Sequence, residues 1–297
     1  MKVLVSGNTK VFGIIGDPVS HSLSPLFQSR FLDQSGIDAL YAPFCVREDD
    51  VVRALEGLWA AGVEGLNVTV PHKEMVLRQV DADADAMCIG AVNTVRRGVS
   101  GWQGTNTDWR GFRDMLHGMG MDVGGTEVFL FGAGGTARAV LHALAQEKVK
   151  KISICNRGED RLRALIRHAR EAYPELAVAA VAWNQAAVAK ACDRVVLMVN
   201  TTSIGLAGKD EDFPFRLSGD GVALDAVYAQ DGNTAFVCAA EKAGRKAMDG
   251  LPMLLAQGVS SFYYWHSIEP ARMTVLRWLE ARLGREHADL PGWEEGL

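Results

Sequence analysis

The sequence predicts an α/β protein of two domains, a substrate-binding α/β domain and a Rossmann-type, doubly wound dinucleotide-binding domain. Three observations predict it. Strand-length apolar runs alternate with helical segments along most of the chain, the pattern of a mainly parallel sheet covered on both faces. A glycine-rich turn, Gly132-Ala-Gly-Gly-Thr-Ala137, falls between a strand and a helix, the setting a dinucleotide fingerprint requires. A chain of 297 residues is also large for one hydrophobic core.

In order, Val11–Ile15 reads as a buried strand, followed by a helix from Pro25 with Leu26, Phe27, Phe31 and Leu32 on its apolar face. Ser24 before Pro25 has the chemistry of an N-cap, with proline at the first helical position. Tyr41–Val46 is a second strand and Val51–Ala61 a helix ended by Gly62; Gly65–Val70 is a third strand, running into a helix opened by Pro71. Val92–Arg96 and Trp102–Thr107 read as a hairpin. Beyond Gly124-Gly125, strands at Glu127–Phe131, Lys151–Asn156, Val178–Ala182, Arg194–Val199 and Val222–Ala226 alternate with helices, a doubly wound pattern. Helices Leu251–His266 and Pro270–Leu283 close the chain, and 285–297 reads as a polar, frayed tail. The expected domains are 1–108 with 249–297 for substrate and 109–248 for NAD(P).

Composition narrows the function. Apolar residues make up 48% and charged residues 23%, with a net charge of -5 and the basic residues scattered. This disfavours nucleic acid and anionic membranes as partners. No apolar run reaches membrane-spanning length, and Met1–Gly7 is too short for a signal-peptide core. The five cysteines are an odd number with no Cys-x-x-Cys pair, which argues against disulfides and zinc and for a reducing cytoplasm. Cys45, Cys155 and Cys238 read as small core residues.

Polar residues of several segments carry the chemistry. Ser22 and Ser24 flank a helix start, where free N–H groups attract an anion. Asn67 and Thr69 alternate onto one side of a strand end. Lys73 stands in the first turn of the next helix, where the dipole disfavours a cation, so stability alone does not explain it. Asp108 stands where the hairpin passes into a helix, a position that also suits a cap. Gly250, Met253 and Gln257 recur at helical spacing.

These segments, Gly16–Pro25, Asn67–Lys73, Gly90–Thr94, Asn106–Gly111 and Gly250–Gln257, resemble the shikimate dehydrogenase family in order and spacing over nearly the whole chain. The resemblance implies Lys73 and Asp108 as the catalytic pair. It implies Ser22, Ser24, Asn67, Thr69, Asn93, Tyr228 and Gln257 as substrate ligands. Gly132, Gly134, Gly135, Thr136 and Ala137 would take the cofactor pyrophosphate, and Asn156, Arg157 and Arg161 the adenosine end. Thr201, Gly250 and Met253 would line the nicotinamide. The expected reaction is reversible NADP-dependent reduction of 3-dehydroshikimate to shikimate, a small-molecule substrate, without a metal.

Two departures leave alternatives. Gly158 replaces the threonine or serine that usually follows the arginine, and Glu159 or Asp160 could serve the ribose hydroxyls of NAD. After Tyr228 the usual proline and threonine give way to Ala229-Gln-Asp-Gly-Asn-Thr234, one residue longer. A quinate or quinate/shikimate dehydrogenase using NAD is the nearest alternative, and a non-catalytic sensor on the same fold a distant one.

Overall fold

Phe12 to Gly16 are buried in succession, so the first strand is covered on both faces as its apolar run implies. In the computed structural model this strand begins one of two compact units, Met1–Gly111 with Leu255–Leu279 and Phe112–Leu254 with Glu280–Leu297. The structure describes residues 5–205, 212–229 and 232–294; Gln230 and Asp231 of the turn after Tyr228 lie outside them. The unit boundaries fall inside continuous helices, at Gly111/Phe112, Leu254/Leu255 and Leu279/Glu280.

In the first unit the chain runs β1 (Lys10–Gly16), α1 (Ser24–Gln34), β2 (Ala39–Cys45), α2 (Val51–Ala60), β3 (Gly65–Val68), α3 (Lys73–Val76), β4 (Asp81–Ala82), α4 (Ala84–Ile89), β5 (Thr94–Arg97) and β6 (Trp102–Thr105). Its six strands lie in the order β2-β1-β3-β5-β6-β4. β1 pairs in parallel with β2 and β3, whereas β5 runs antiparallel to both β3 and β6. The sheet is therefore mixed, because the hairpin joins it. Ile15, Leu55, Leu66, Val76, Val95 and Trp102 fill one core cluster.

α5 (Asp108–Gly118) leads into the second unit. It contains β7 (Glu127–Phe131), α6 (Gly135–Gln146), β8 (Lys151–Cys155), α7 (Glu159–Ala172), β9 (Ala177–Val181), α8 (Gln185–Cys192), β10 (Leu197–Asn200), β11 (Val222–Asp225), α9 (Ala235–Lys242) and β12 (Lys246–Met248). All six strands are parallel in the order β12-β11-β10-β7-β8-β9, the doubly wound arrangement with its switch point beside β7. The sixth strand, Lys246–Met248, is too short and polar to stand out in the sequence. α10 (Leu251–His266), α11 (Arg272–Leu283) and α12 (Pro291–Glu294) complete the chain. Among the described residues no helix is long and apolar enough to cross a membrane.

Three expectations need correction. Helix α1 starts at Ser24 with Leu23 in the capping position and no side-chain cap bond, so Ser24 does not cap it. Cys45 is exposed rather than in the core, with its Sγ 3.7 Å from Asp17 Oδ1. It lies at the end of edge strand β2, where the sheet supplies a neighbour on one side only. The segment after Arg285 is not frayed over its described part. Leu290 and Trp293 are buried, and Trp293 Nε1 donates to the Asp114 carbonyl at 2.9 Å. A tryptophan packs as an anchor irrespective of the polarity of its neighbours.

Candidate active site

The polar residues of the first unit collect at the C-terminal end of β3 and the start of α5. Lys73 is the first residue of α3, directly after the turn that ends β3. Its Nζ donates to Asp108 Oδ2 at 2.6 Å, with the two side chains only 12% and 8% exposed. Asp108 opens α5 from the far side of the hairpin. Its other oxygen accepts from Asn93 Nδ2 at 2.8 Å. Both carboxylate oxygens therefore bond side chains rather than the helix's own N–H groups. The local turn is made by Asn106 instead, whose Oδ1 accepts the Asp108 N–H at 3.0 Å.

Around this pair is a continuous buried network. Asn93 Oδ1 accepts from the Thr107 N–H at 2.7 Å, and Asn93 Nδ2 lies 3.4 Å from Gln257 Oε1. Asn67 Nδ2 donates to Thr94 Oγ1 at 3.0 Å and to Ser261 Oγ at 2.9 Å, while Tyr41 Oη donates to Asn67 Oδ1 at 2.7 Å. Burial pushes the Tyr41 phenol well above its ordinary value, which keeps the donor proton in place. Gln257 reaches this network because Gly111 allows close approach. A Cβ on Gly111 would lie 2.6 Å from the Gln257 backbone nitrogen.

Thr69 is half-buried directly after β3, with no side-chain hydrogen bond to this network among the described residues, and Ser22 Oγ accepts the Ser24 N–H at 3.2 Å. Lys73, Asp108, Asn93, Asn67 and Gln257 are thus linked directly or through Thr107, Thr94 and Ser261. Ser22 and Ser24 share their own turn. Sequence reasoning missed Tyr41, Thr94, Thr107 and Ser261. Ser261 had a signal, since it lies four residues after Gln257 on the same helical face.

The second unit carries the glycine turn. Gly132 has φ +109°, and a Cβ there would sit 2.4 Å from Thr201 Oγ1, so only glycine fits beside β10. Gly134 is the extended N-cap of α6 with no side-chain cap bond, and space beside its Cα is open. Ala137 is fully buried against the sheet. A helix start without a side-chain cap, approachable because no side chain stands beside Gly134, suits a pyrophosphate. Gly132→Ala should lower stability by about 1–3 kcal/mol through overpacking alone and weaken dinucleotide binding. Urea unfolding and cofactor titration would check both, and unchanged values in both would contradict the tight turn.

At the end of β8, Asn156 Nδ2 bonds the Gly158 carbonyl at 2.8 Å. Arg157 and Arg161 are exposed and have no hydrogen-bonding or ionic partner among the described residues. Glu159 and Asp160, by contrast, are both paired with Arg163, at 3.2 and 2.7 Å. Two free guanidinium groups beside two engaged carboxylates fit a phosphate-bearing ribose better than an unsubstituted one. Thr201 Oγ1 donates to the Phe131 carbonyl, Gly250 N–H to the Val227 carbonyl, and Met253 is buried at the start of α10.

Behind them lies a buried carboxylate, Asp225, pushed up to about 7 by burial; hydrogen bonds from Thr234, the Val227 N–H and Asn200 oppose the shift and nearby Asp249 adds to it. Tyr228 follows this strand and is half-buried.

A parallel dinucleotide-binding sheet in one unit and a lysine–carboxylate pair in a buried polar network in the other define a class, the two-domain NAD(P)-dependent oxidoreductases. Residues 14–95 match the family description "Shikimate dehydrogenase substrate binding domain", and 116–198 match "Shikimate / quinate 5-dehydrogenase". The chain is 36% identical over 286 residues to the shikimate dehydrogenase (NADP(+)) of Geobacter metallireducens, covering 95% of this chain and 99% of that one. The crystal structure of shikimate dehydrogenase from Aquifex aeolicus matches with a TM-score of 0.80 at 36% identity, over 92% of this chain and 98% of its own. That of the Thermus thermophilus enzyme in complex with NADP(H) and shikimate matches with a TM-score of 0.77 at 30% identity, over 93% and 100%. The chain belongs to the shikimate dehydrogenase family.

Proposed function

We propose that this protein catalyses the reversible NADP-dependent reduction of 3-dehydroshikimate to shikimate. The observation that carries it is the Lys73–Asp108 ion pair, 2.6 Å long and nearly enclosed, within a network rich in hydroxyl and amide groups. Such a network matches a ring acid bearing several hydroxyls.

Ser22 and Ser24 hold the ring carboxylate at the start of α1, where Leu23 in the capping position offers the helix no side-chain acceptor. Tyr228 approaches the same carboxylate. Asn67, Thr69, Asn93 and Gln257 orient the ring hydroxyls. Asn93 fixes one oxygen of Asp108, so the other holds Lys73 Nζ in a set direction. Lys73 gives a proton to the carbonyl oxygen on reduction and takes it back from the hydroxyl on oxidation. NADPH, when bound, supplies the hydride. Gly132, Gly134, Gly135, Thr136 and Ala137 hold its pyrophosphate, and Asn156, Arg157 and Arg161 its phosphorylated ribose. Thr201, Gly250 and Met253 line its nicotinamide.

Initial rates with shikimate and quinate, each with NADP and NAD, test the reading. Shikimate with NADP should be fastest. Quinate turned over faster with NAD would replace it with the quinate assignment, and no turnover in any combination would favour a binding-only role. Arg157→Ala should weaken NADP by about 10- to 100-fold, the worth of a charge-assisted hydrogen bond, and leave NAD nearly unchanged. Equal loss for both cofactors would return Glu159 or Asp160 to consideration.

A further inference from the structure

The segment that reads as a polar tail carries a nearly buried cation. Arg285, 11% exposed, forms a two-pronged ion pair with the fully covered Asp249: Nη1 donates to Oδ2 at 3.0 Å and Nη2 to Oδ1 at 2.6 Å. The same carboxylate accepts the Ala229 N–H at 3.1 Å and the Leu251 N–H at 3.3 Å. Arg285 Nη1 also lies 3.4 Å from the Ala229 carbonyl oxygen. One guanidinium–carboxylate pair therefore ties the residue after Tyr228 to the first residue of α10, two positions before Met253.

Three further features make this more than an incidental contact. The turn after Tyr228, Ala229-Gln-Asp-Gly-Asn-Thr234, contains no proline, so its backbone is not pre-set by a ring. Burial pushes Asp249 up and the Arg285 guanidinium pulls it back down. Asp225 is a second buried carboxylate nearby, so without Arg285 the site would hold two acids and, among the described residues, no cation paired with either.

We propose that Arg285 is a positioning residue, fixing Tyr228 and the Gly250–Met253 start of α10 through Asp249 so that the ring acid is held in register. This rests on the reading that Tyr228 touches the substrate carboxylate. Arg285 itself touches no reacting atom.

The test uses the full-length protein with Arg285→Met, and reads amide hydrogen exchange together with steady-state kinetics. The amides of Ala229 and Leu251 should lose protection, while those of β11 keep it. KM for shikimate should rise about tenfold, as expected when binding contacts slacken. Meanwhile kcat should change by less than about threefold, and the Kd for NADP should rise by less than the KM for shikimate, because the Gly250–Met253 segment meets only the nicotinamide end of the cofactor. Arg285→Lys keeps the charge without the planar fork, so it should recover part of the KM. Should the methionine variant not fold, the lysine variant carries both measurements, with an intermediate KM expected.

Unchanged protection at Ala229 and Leu251 would overturn the clamp. Exposed amides with KM within about twofold of the parent would overturn the positioning role, as a merely structural contact would behave in that way. A parent protein inactive on shikimate and quinate would remove the functional reading instead, and exchange at Ala229 and Leu251 would then decide the clamp by itself.

Discussion

Replacing Lys73 by alanine is expected to lower kcat by about 10²- to 10⁴-fold, the usual contribution of a positioned general acid, with KM for shikimate changed far less. The side chain sits 2.6 Å from Asp108 and is 12% exposed, so its removal takes the proposed proton donor and also leaves a covered carboxylate without this cation. Loss of one partner from a buried pair can destabilise by about 3–5 kcal/mol, so folding must be checked by circular dichroism before rates are compared. Lys73→Arg separates the two effects. Arginine can keep the ion pair, but its guanidinium does not release a proton at any working pH. It should therefore restore stability and leave turnover low. Turnover within a few-fold of the parent in either variant would assign the proton transfer elsewhere.

Asp108→Asn is expected to reduce kcat/KM by about 10²- to 10³-fold, comparable with loss of a preorganised electrostatic contact. The amide can still accept from Asn93, which holds Oδ1 at 2.8 Å, but it cannot balance the Lys73 ammonium. The position lies at the start of α5, where asparagine and aspartate cap almost equally well, and the local turn is made by Asn106. A capping role thus predicts no measurable loss of activity or of Tm, whereas the catalytic role predicts a large loss of activity, together with a lower Tm from the Lys73 ammonium left without its counter-charge. Kinetics and thermal unfolding on the same preparation distinguish them. Normal activity would leave Lys73 without its orienting partner.

Both effects depend on residues distant in sequence that the fold brings together. Lys73 was identifiable because it occupies a position that ordinary stability does not explain, and Asp108, whose position equally suits a cap, because the surrounding segments resemble one family. Tyr41, Thr94, Thr107 and Ser261 were not. Threonine and serine are common in strands and helices, and nothing local distinguishes a solvated hydroxyl from one buried between Asn67 and Gln257. Their importance comes from burial, where an unpaired polar group is expensive and a network must close on itself.

The alternation of strands and helices, the glycine turn at Gly132–Ala137 and the helical face of Gln257 are legible in the order of residues. These follow from the period of two along a strand, the period of 3.6 along a helix and the steric freedom of glycine, all of which act within a few residues. The tertiary structure decided what depends on distant neighbours. It placed Cys45 at an exposed sheet edge, turned the first sheet mixed through the β5–β6 hairpin, and buried Trp293 and largely covered Arg285 in a segment that reads as solvated. Burial and ion pairing are set by which surfaces meet in space, and a polar segment is covered whenever a distant carboxylate such as Asp249 needs its cation.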